Sequence, residues 1–197
     1  MTIAREYVAP RWDDIYDMLI ELATRVKQSG FQPDLIVGVS RGGWIPGRIL
    51  SDLLGNAHTA NLKIEFYVGI GQTARKPIVT QPISEEILNK RVLIVDDVAD
   101  TGESLLVALD HVRGRGANGI KTTTLYYKPH SKFKPDFFSE TTSHWIVFPW
   151  ERLETTQLLI REAKSQPRGN DSIRETLSRC GLGEKTIAAL LKLADGA

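Results

Sequence analysis

The chain has 197 residues and a net charge of +1, with 25 lysines and arginines against 24 aspartates and glutamates. That balance does not favour a protein dedicated to nucleic acid, which usually carries a strong basic excess. The single cysteine, Cys180, excludes an intramolecular disulfide and a multi-cysteine metal site. No segment approaches the length of a membrane span and no apolar signal-peptide core is found, so we expect a cytoplasmic protein without a membrane partner.

The first half of the chain predicts alternating helices and strands. Apolar residues at helical spacing from Arg11 to Ser29 predict a helix that ends before Gly30. The apolar run DLIVGVS is typical of a strand buried on both faces, and WIPGRILSDLLG predicts a helix with its proline in the first turn. LKIEFYVG alternates and predicts a strand. The stretch GIGQTARKPIVTQP contains two glycines and two prolines, which predicts a long loop at residues 70–82 that could serve as a lid.

The second half continues the same alternation. RVLIVDD predicts another buried strand, GESLLVALDHVRGRG a helix, and KTTTLYYK and HWIVF two further strands. This order predicts an α/β fold with an open, mostly parallel sheet flanked by helices. After Trp150 the pattern becomes helical only. We therefore expect a main domain at residues 1–151 and a small helical C-terminal appendage at residues 152–197.

Three acids follow the buried strand in LIVDDVADTGESL, at Asp96, Asp97 and Asp100. In doubly wound sheets, ligands bind beyond the carboxyl ends of the strands, where loops meet helix N-termini. The N–H groups of residues 100–104, with their hydroxyls, suit a phosphate, while adjacent carboxylates suit sugar hydroxyls or a hard cation. The pattern indicates a phosphorylated sugar with a metal ion. The simpler alternative is that Asp100 only caps a helix and the other two acids are solvated.

These segments resemble a known family. VLIVDDVADTGES is similar to the phosphoribosyl-pyrophosphate signature of type I phosphoribosyltransferases, and VGVSRGGWIPGRIL to their pyrophosphate loop. YYKPHSKFKPDFF and HWIVFPWE resemble the base-binding end of the guanine–xanthine–hypoxanthine branch. The resemblance spans Trp12 to Glu151. It implies the type I phosphoribosyltransferase fold and a magnesium-dependent transferase of purine salvage, which moves phosphoribosyl from phosphoribosyl pyrophosphate (PRPP) to a 6-oxopurine and releases pyrophosphate.

The resemblance also implies roles on the sugar-phosphate side of the site. Asp96 and Asp97 would hold the ribose hydroxyls and lie near magnesium, and Asp100 would be the catalytic group that handles a proton on the purine. Pyrophosphate would be bound by Ser40, Arg41 and Gly42. The 5′-phosphate would be bound by the loop residues Asp100, Thr101, Gly102, Glu103 and Ser104. Because Glu103 adds a negative charge there, its side chain is expected to point away from the phosphate.

On the base side, the resemblance implies that Val98 packs on the purine and that Lys128 donates to its 6-oxygen. Trp145 would stack on the ring, and the Ile146 carbonyl would accept from a 2-amino group. Glu151 stands where many relatives have a metal-binding aspartate, so the sequence departs from the family there. A homodimer is expected as well.

Two alternatives to this interpretation stay open. A backbone carbonyl could receive a 6-amino group, which would make the protein an adenine phosphoribosyltransferase. LSRCGLGEKTIAALL resembles a helix-hairpin-helix, so the chain could instead be a PRPP-sensing regulator that binds nucleic acid. The same segment also suits helices that simply pack on a core. Since both SRGG and KP…W are kept, the sequence favours the enzyme.

Overall fold

The computed structural model describes residues 6–68, 75–165 and 170–195. The chain divides into two compact units, one made of residues 1–14 and 144–197 and the other of residues 15–143. The sequence predicted a boundary after residue 151 and did not group the N-terminal segment with the C-terminal helices. Within the described ranges, no helix combines the length and the apolar character needed to cross a membrane.

In the part of the chain that the structure describes, fourteen elements follow one another. In order they are β1 (Tyr7–Val8), α1 (Trp12–Gln28), β2 (Leu35–Ser40), α2 (Trp44–Leu54), β3 (Thr59–Val68), β4 (Arg75–Gln81), β5 (Arg91–Ala99), α3 (Glu103–Gly114), β6 (Gly119–Tyr127), β7 (Phe137–Thr141), β8 (Trp145–Ile146), α4 (Arg152–Ser165), α5 (Asn170–Arg179) and α6 (Glu184–Asp195).

The unit of residues 15–143 is built on a six-stranded sheet in the order β4-β3-β2-β5-β6-β7. All neighbouring pairs are parallel except β3 with β4. The two central strands, β2 and β5, are buried over most of their length, as their continuous apolar sequences predict. The prediction of an open, mostly parallel sheet flanked by helices is confirmed.

Helix α3 packs on one face of this sheet and contributes Leu105, Ala108, Leu109 and Val112 to the core. From β2 and β5 the same core takes Val37, Val39, Val92 and Ile94. Burying such a stripe against a sheet is what stabilises a helix of this length, since propensity alone is insufficient.

The predicted loop at residues 70–82 is wrong for residues 75–81, which form the edge strand β4. Ile78, Val79 and Thr80 are β-branched and suit a strand, and Pro77 is tolerated because an edge strand leaves one row of N–H groups unpaired. The rest of the predicted loop, residues 70–74, lies outside the described residues. The short strand β7 was not predicted, because its five residues follow a proline and carry no clear alternation.

The other unit contains a two-stranded parallel sheet of β1 with β8. The predicted HWIVF strand is only two residues long there, since β1 offers a partner of the same length. Its core joins the three C-terminal helices with Val147 and Tyr7, and includes Leu159, Ile173, Leu177, Leu182 and Ile187.

The turn between α5 and α6 has Gly181 at φ +74°, a left-handed conformation that suits glycine. Arg174 pairs with Glu184, and Arg179 pairs with Glu175. Two of the basic residues of this helical hairpin are therefore already neutralised by carboxylates, which does not favour contact with nucleic-acid phosphates.

Candidate active site

The predicted sugar-phosphate residues lie at the carboxyl ends of two neighbouring strands, β2 and β5. β2 and β5 are paired in parallel, with Gly38 opposite Val95. Residues 40–43, which follow β2, are therefore next to residues 96–104, which end β5 and begin α3. This is the edge of a parallel sheet where ligands are usually bound.

Asp96 and Asp97 point to opposite faces of β5, as successive strand residues must. Asp97 is buried, with 7% of its surface exposed, whereas Asp96 is partly exposed. The Asp97 N–H donates to Asp96 Oδ1 at 3.0 Å. Two carboxylates at one strand end thus reach different sides of the same ligand-binding edge.

The glycines of SRGG bring the loop after β2 against these acids. A Cβ added to Gly42 would overlap the Asp97 carboxylate, including Oδ1 at 2.6 Å, and one added to Gly43 would lie 2.8 Å from the Asp96 Cα. The Ser40–Arg41 peptide bond is cis, and the Ser40 hydroxyl donates to Asn61 Oδ1. A side chain at either glycine would push the loop away from β5. Steric contact with β5 therefore explains why both positions are glycine.

The segment after β5 turns sharply at Gly102, the residue before α3, which has φ +78°. No side chain caps the helix there, and the first helical bond runs from the Leu106 N–H to the Gly102 carbonyl. The Glu103 N–H donates to Thr101 Oγ1 at 3.3 Å. The alternative that Asp100 only caps this helix is therefore wrong. The first N–H groups of α3 have no acceptor within the helix.

A segment that the sequence assigned to the base-binding end, with a specific role for its first residue alone, lies against this loop. It consists of residues 128–133, directly after β6, and is called the 128–133 segment below. The Lys128 N–H donates to the Ala99 carbonyl at 3.1 Å, and the Lys132 N–H to the Thr101 carbonyl at 2.9 Å. These two bonds extend the contact between β5 and β6 beyond the ends of both strands.

Side chains reinforce that contact. His130 Nε2 lies 3.1 Å from Asp100 Oδ1, and Lys132 Nζ lies 2.6 Å from Glu103 Oε1. A Cβ added to Gly102 would lie 2.6 Å from Ser131 Oγ. The sequence analysis missed His130, Ser131 and Lys132; their signal was a histidine and a lysine directly after a strand that neighbours β5.

Lys128 is buried, with 6% of its surface exposed. Burial lowers the pKa of its ammonium group, and the negative charge of Asp100 partly opposes that shift. Lys128 is therefore close enough to Asp100 for the carboxylate charge to act on its ammonium group. A lysine ammonium group is a compact charge, and its hydrogen bonds are stronger than those of a neutral donor.

Val98, the next predicted base-side residue, lies near the end of β5 and is partly exposed, whereas Trp145, Ile146 and Glu151 belong to the unit of residues 1–14 and 144–197. The Trp145 N–H donates to the Glu6 carbonyl at 2.9 Å, and Trp145 remains 38% exposed. Ile146 is buried beside it. The Glu151 carbonyl accepts from Thr155 at the start of α4. The predicted contacts of these residues with a base or a metal stay predictions.

Asp96 and Asp97 also offer oxygen ligands for a cation. In the described ranges, no cluster of three or more histidine, cysteine, aspartate or glutamate side chains could by itself hold a metal ion. Mg²⁺ commonly keeps several waters and binds through one or two carboxylates together with substrate phosphates. The residues present thus fit a magnesium ion that arrives with a phosphorylated substrate.

Comparisons with known proteins agree with this geometry. The family description "Phosphoribosyl transferase domain" matches residues 11–152. A xanthine-guanine phosphoribosyltransferase of Gluconobacter oxydans is 30% identical over 149 residues, covering 74% of this chain and 84% of that protein. A hypoxanthine-guanine phosphoribosyltransferase of Schizosaccharomyces pombe is 26% identical over 182 residues, covering 71% and 86%.

Among solved structures, a purine phosphoribosyltransferase from Pyrococcus horikoshii superposes with a TM-score of 0.67 and 39% identity, covering 74% of this chain and 93% of that one. The family match ends at residue 152, where α4 begins, so most of the three C-terminal helices lies outside it.

Proposed function

This chain belongs to the phosphoribosyltransferase family, and we propose that it transfers phosphoribosyl from PRPP to a 6-oxopurine, giving the nucleoside 5′-monophosphate and pyrophosphate. Relatives with 30% and 39% identity carry the names of purine phosphoribosyltransferases, which supports a role in purine salvage. The observation that carries the proposal is the junction of β5 and α3, where buried and exposed carboxylates precede a helix N-terminus suited to phosphate.

The sugar-phosphate side of the proposed site consists of β5, its loop and the start of α3. Asp96 and Asp97 receive the ribose hydroxyls, and the N–H groups of residues 100–104 receive the 5′-phosphate. Arg41 and the backbone of Gly42 bind the pyrophosphate. The close packing of Gly42 on Asp97 supports this arrangement, because the loop after β2 then lies directly beside the carboxylate proposed to hold the ribose.

Transfer requires the bond between the anomeric carbon and pyrophosphate to break while the purine nitrogen approaches, through an oxocarbenium-like state. The protein's task is to align the two substrates and to stabilise the departing polyanion. Asp100 takes up or returns the proton on the purine ring nitrogen. Lys128 donates to the 6-oxygen, and its burial next to Asp100 supports this pairing, since one carboxylate and one ammonium match the nitrogen and oxygen of a 6-oxopurine.

Magnesium is expected to bind with PRPP through Asp97 and Asp96. When bound, it neutralises charge on the pyrophosphate leaving group. We propose that Val98 packs on the base as the family resemblance implies, while the base contacts implied for Trp145 and the Ile146 carbonyl stay predictions. For Glu151 we propose only that it occupies the position at which many relatives have a metal-binding aspartate.

A homodimer is proposed as the working form, as the family resemblance implies. Three large apolar side chains at helical spacing on α1 are exposed, namely Trp12, Tyr16 and Ile20. A continuous apolar stripe of this kind supports contact with a second copy. Sedimentation velocity across a concentration series measures the assembly directly, and a monomer at every concentration would contradict it.

The decisive test is an assay of the purified protein with PRPP and Mg²⁺, offering hypoxanthine, guanine, xanthine, adenine and uracil separately. We expect nucleotide and pyrophosphate to form in equal amounts with at least one 6-oxopurine. Turnover of adenine alone would assign the protein to the adenine alternative. PRPP binding without any turnover, combined with salt-sensitive nucleic-acid binding, would instead support the regulator.

A further inference from the structure

Glu103 is an unexpected residue in a loop proposed to bind phosphate. It is the first residue of α3, directly after Gly102, and its side chain is only 28% exposed. A carboxylate near a phosphate dianion opposes binding, and water does not fully screen a partly covered charge. Something in the fold must therefore compensate for it if the loop is to bind phosphate well.

Lys132 provides that compensation. Its ammonium group lies 2.6 Å from Glu103 Oε1, and its backbone N–H donates to the Thr101 carbonyl at 2.9 Å. The lysine is thus attached to the same loop by its backbone and by its side chain. The backbone bond fixes the Lys132 main chain relative to the loop, so the ion pair has to restrict only the side chain.

We propose that Lys132 determines the affinity of the site for the 5′-phosphate by neutralising Glu103. This inference rests on the proposed function, because it takes the loop at residues 100–104 as the phosphate-binding loop. The lysine acts through Glu103 and the loop and does not touch the reacting atoms, so it is a positioning and charge-balancing residue. Its expected effect is on the binding of phosphorylated ligands.

The size of the effect follows from the exposure of the pair. An ion pair whose lysine is 67% exposed contributes little to folding. Removing the lysine, however, leaves one uncompensated negative charge beside an incoming dianion. At separations of several ångströms and near-surface dielectric screening, we expect a loss of roughly 3- to 10-fold in affinity for a phosphorylated sugar. That loss should shrink as ionic strength rises.

The chain offers a matched control. Lys134 lies two residues further along, is also exposed, and sits 5.4 Å from the centre of the Phe138 ring. Lys132→Met and Lys134→Met remove the same charge from the same stretch of chain, and methionine keeps the unbranched side chain. Only the first removes the partner of Glu103. The double variant Lys132→Met with Glu103→Gln removes both members of the pair.

The experiment measures the dissociation constants of ribose 5-phosphate and of PRPP with Mg²⁺ by calorimetry, for the wild type and these variants. Lys132→Met should weaken both ligands by roughly 3- to 10-fold, and Lys134→Met should change neither by more than about twofold. The double variant should recover most of the loss. Glu103→Gln alone should bind ribose 5-phosphate more tightly than the wild type, which tests the inference even if Lys132→Met folds poorly.

Equal affinities for Lys132→Met and Lys134→Met, or a double variant as weak as Lys132→Met, would overturn the inference while leaving the proposed function intact. Failure of the wild type to bind PRPP at all would overturn both. Thermal unfolding of each variant, measured alongside, separates a charge effect from a loss of the folded loop: the proposal requires equal melting temperatures for the two lysine variants.

Discussion

His130 Nε2 lies 3.1 Å from Asp100 Oδ1, so the proposed catalytic carboxylate is held by a residue that follows the next strand of the sheet. Both side chains are more than half exposed. Such a pair contributes little to the free energy of unfolding. Its consequence is instead geometric, because it restricts the rotamers of the one acid proposed to meet the purine.

Changing His130 to alanine therefore tests orientation. We expect kcat for nucleotide formation to fall by roughly 2- to 10-fold, the equivalent of about one hydrogen bond, with the melting temperature unchanged. Steady-state kinetics together with thermal unfolding measure both. His130→Gln, which keeps a donor, is the matched variant and should recover part of the rate. A large loss of stability with normal kcat would contradict an orienting role.

Asp100→Asn removes the carboxylate but keeps the side-chain shape. If Asp100 handles the purine proton, kcat should fall by roughly 10²- to 10⁴-fold, the usual contribution of a general acid–base group. The dissociation constant of PRPP should change little, because the backbone N–H groups of the loop remain. Pre-steady-state and steady-state rates measure the change, and an unaltered kcat would remove Asp100 from the mechanism.

Lys128→Ala tests the choice of base. Losing a charge-assisted hydrogen bond to the 6-oxygen should lower kcat/KM for hypoxanthine and guanine by the equivalent of about 1–3 kcal/mol. Adenine, which has no 6-oxygen, should be affected less. The measurement is kcat/KM for each purine at saturating PRPP. An equal decrease for every purine would indicate that Lys128 acts through the structure of the 128–133 segment.

Gly42→Ala tests the contact between the pyrophosphate loop and β5. The new methyl group would overlap the Asp97 carboxylate, so the loop must move away. We expect PRPP affinity to fall by at least about tenfold and stability by about 1–3 kcal/mol, as for other overpacked sites. Gly114→Ala is the control, because an added Cβ there meets nothing within 4 Å. Calorimetry with PRPP would refute the prediction if both variants bound equally.

Asp34 gives a prediction about pH. Asp34 accepts two hydrogen bonds from the Arg91 guanidinium, at 3.0 and 2.9 Å, and one from the Arg91 backbone N–H at 2.8 Å. These bonds lower the pKa of Asp34 from 3.8 to about 2. A carboxylate with a lowered pKa adds stability above its unfolded pKa and loses it as pH falls through the folded value. The stability advantage of the wild type over Asp34→Asn should therefore be full at pH 5 and disappear toward pH 2. Urea unfolding over this range measures it, and a constant difference would contradict the assignment.

Local sequence determined much of the fold. The predicted helix from Arg11 to Ser29 is found at Trp12–Gln28, and the buried strand and helix of the signature are found at β5 and α3. These elements have clear periodicity or uninterrupted apolar runs, so local pattern and tertiary burial agree. β4, β7 and β8 lack that agreement, since each is hydrogen-bonded to a single neighbouring strand and is defined by that pairing.

Site residues that are contiguous in sequence could be predicted, whereas those that come from a neighbouring strand could not. Asp96, Asp97 and residues 100–104 are contiguous, so one motif sufficed to predict their common position. His130 and Lys132 reach that loop only because β5 and β6 are neighbours in register, with Ala99 opposite Tyr127. Strand order is a property of the whole sheet, and the sequence of the loop alone contains no sign of it.

That register has a consequence for redesign of base specificity. The 128–133 segment begins with the lysine proposed to donate to the base and continues into Ser131 and Lys132. Ser131 lies close to Gly102, and Lys132 pairs with Glu103, both in the loop proposed to bind phosphate. Grafting a base-reading segment from another enzyme would therefore disturb phosphate affinity, even if the new segment fitted its base well. A segment exchange must therefore include residues 100–104 together with residues 128–133, because recognition of the base and of the phosphate depend on the same contacts.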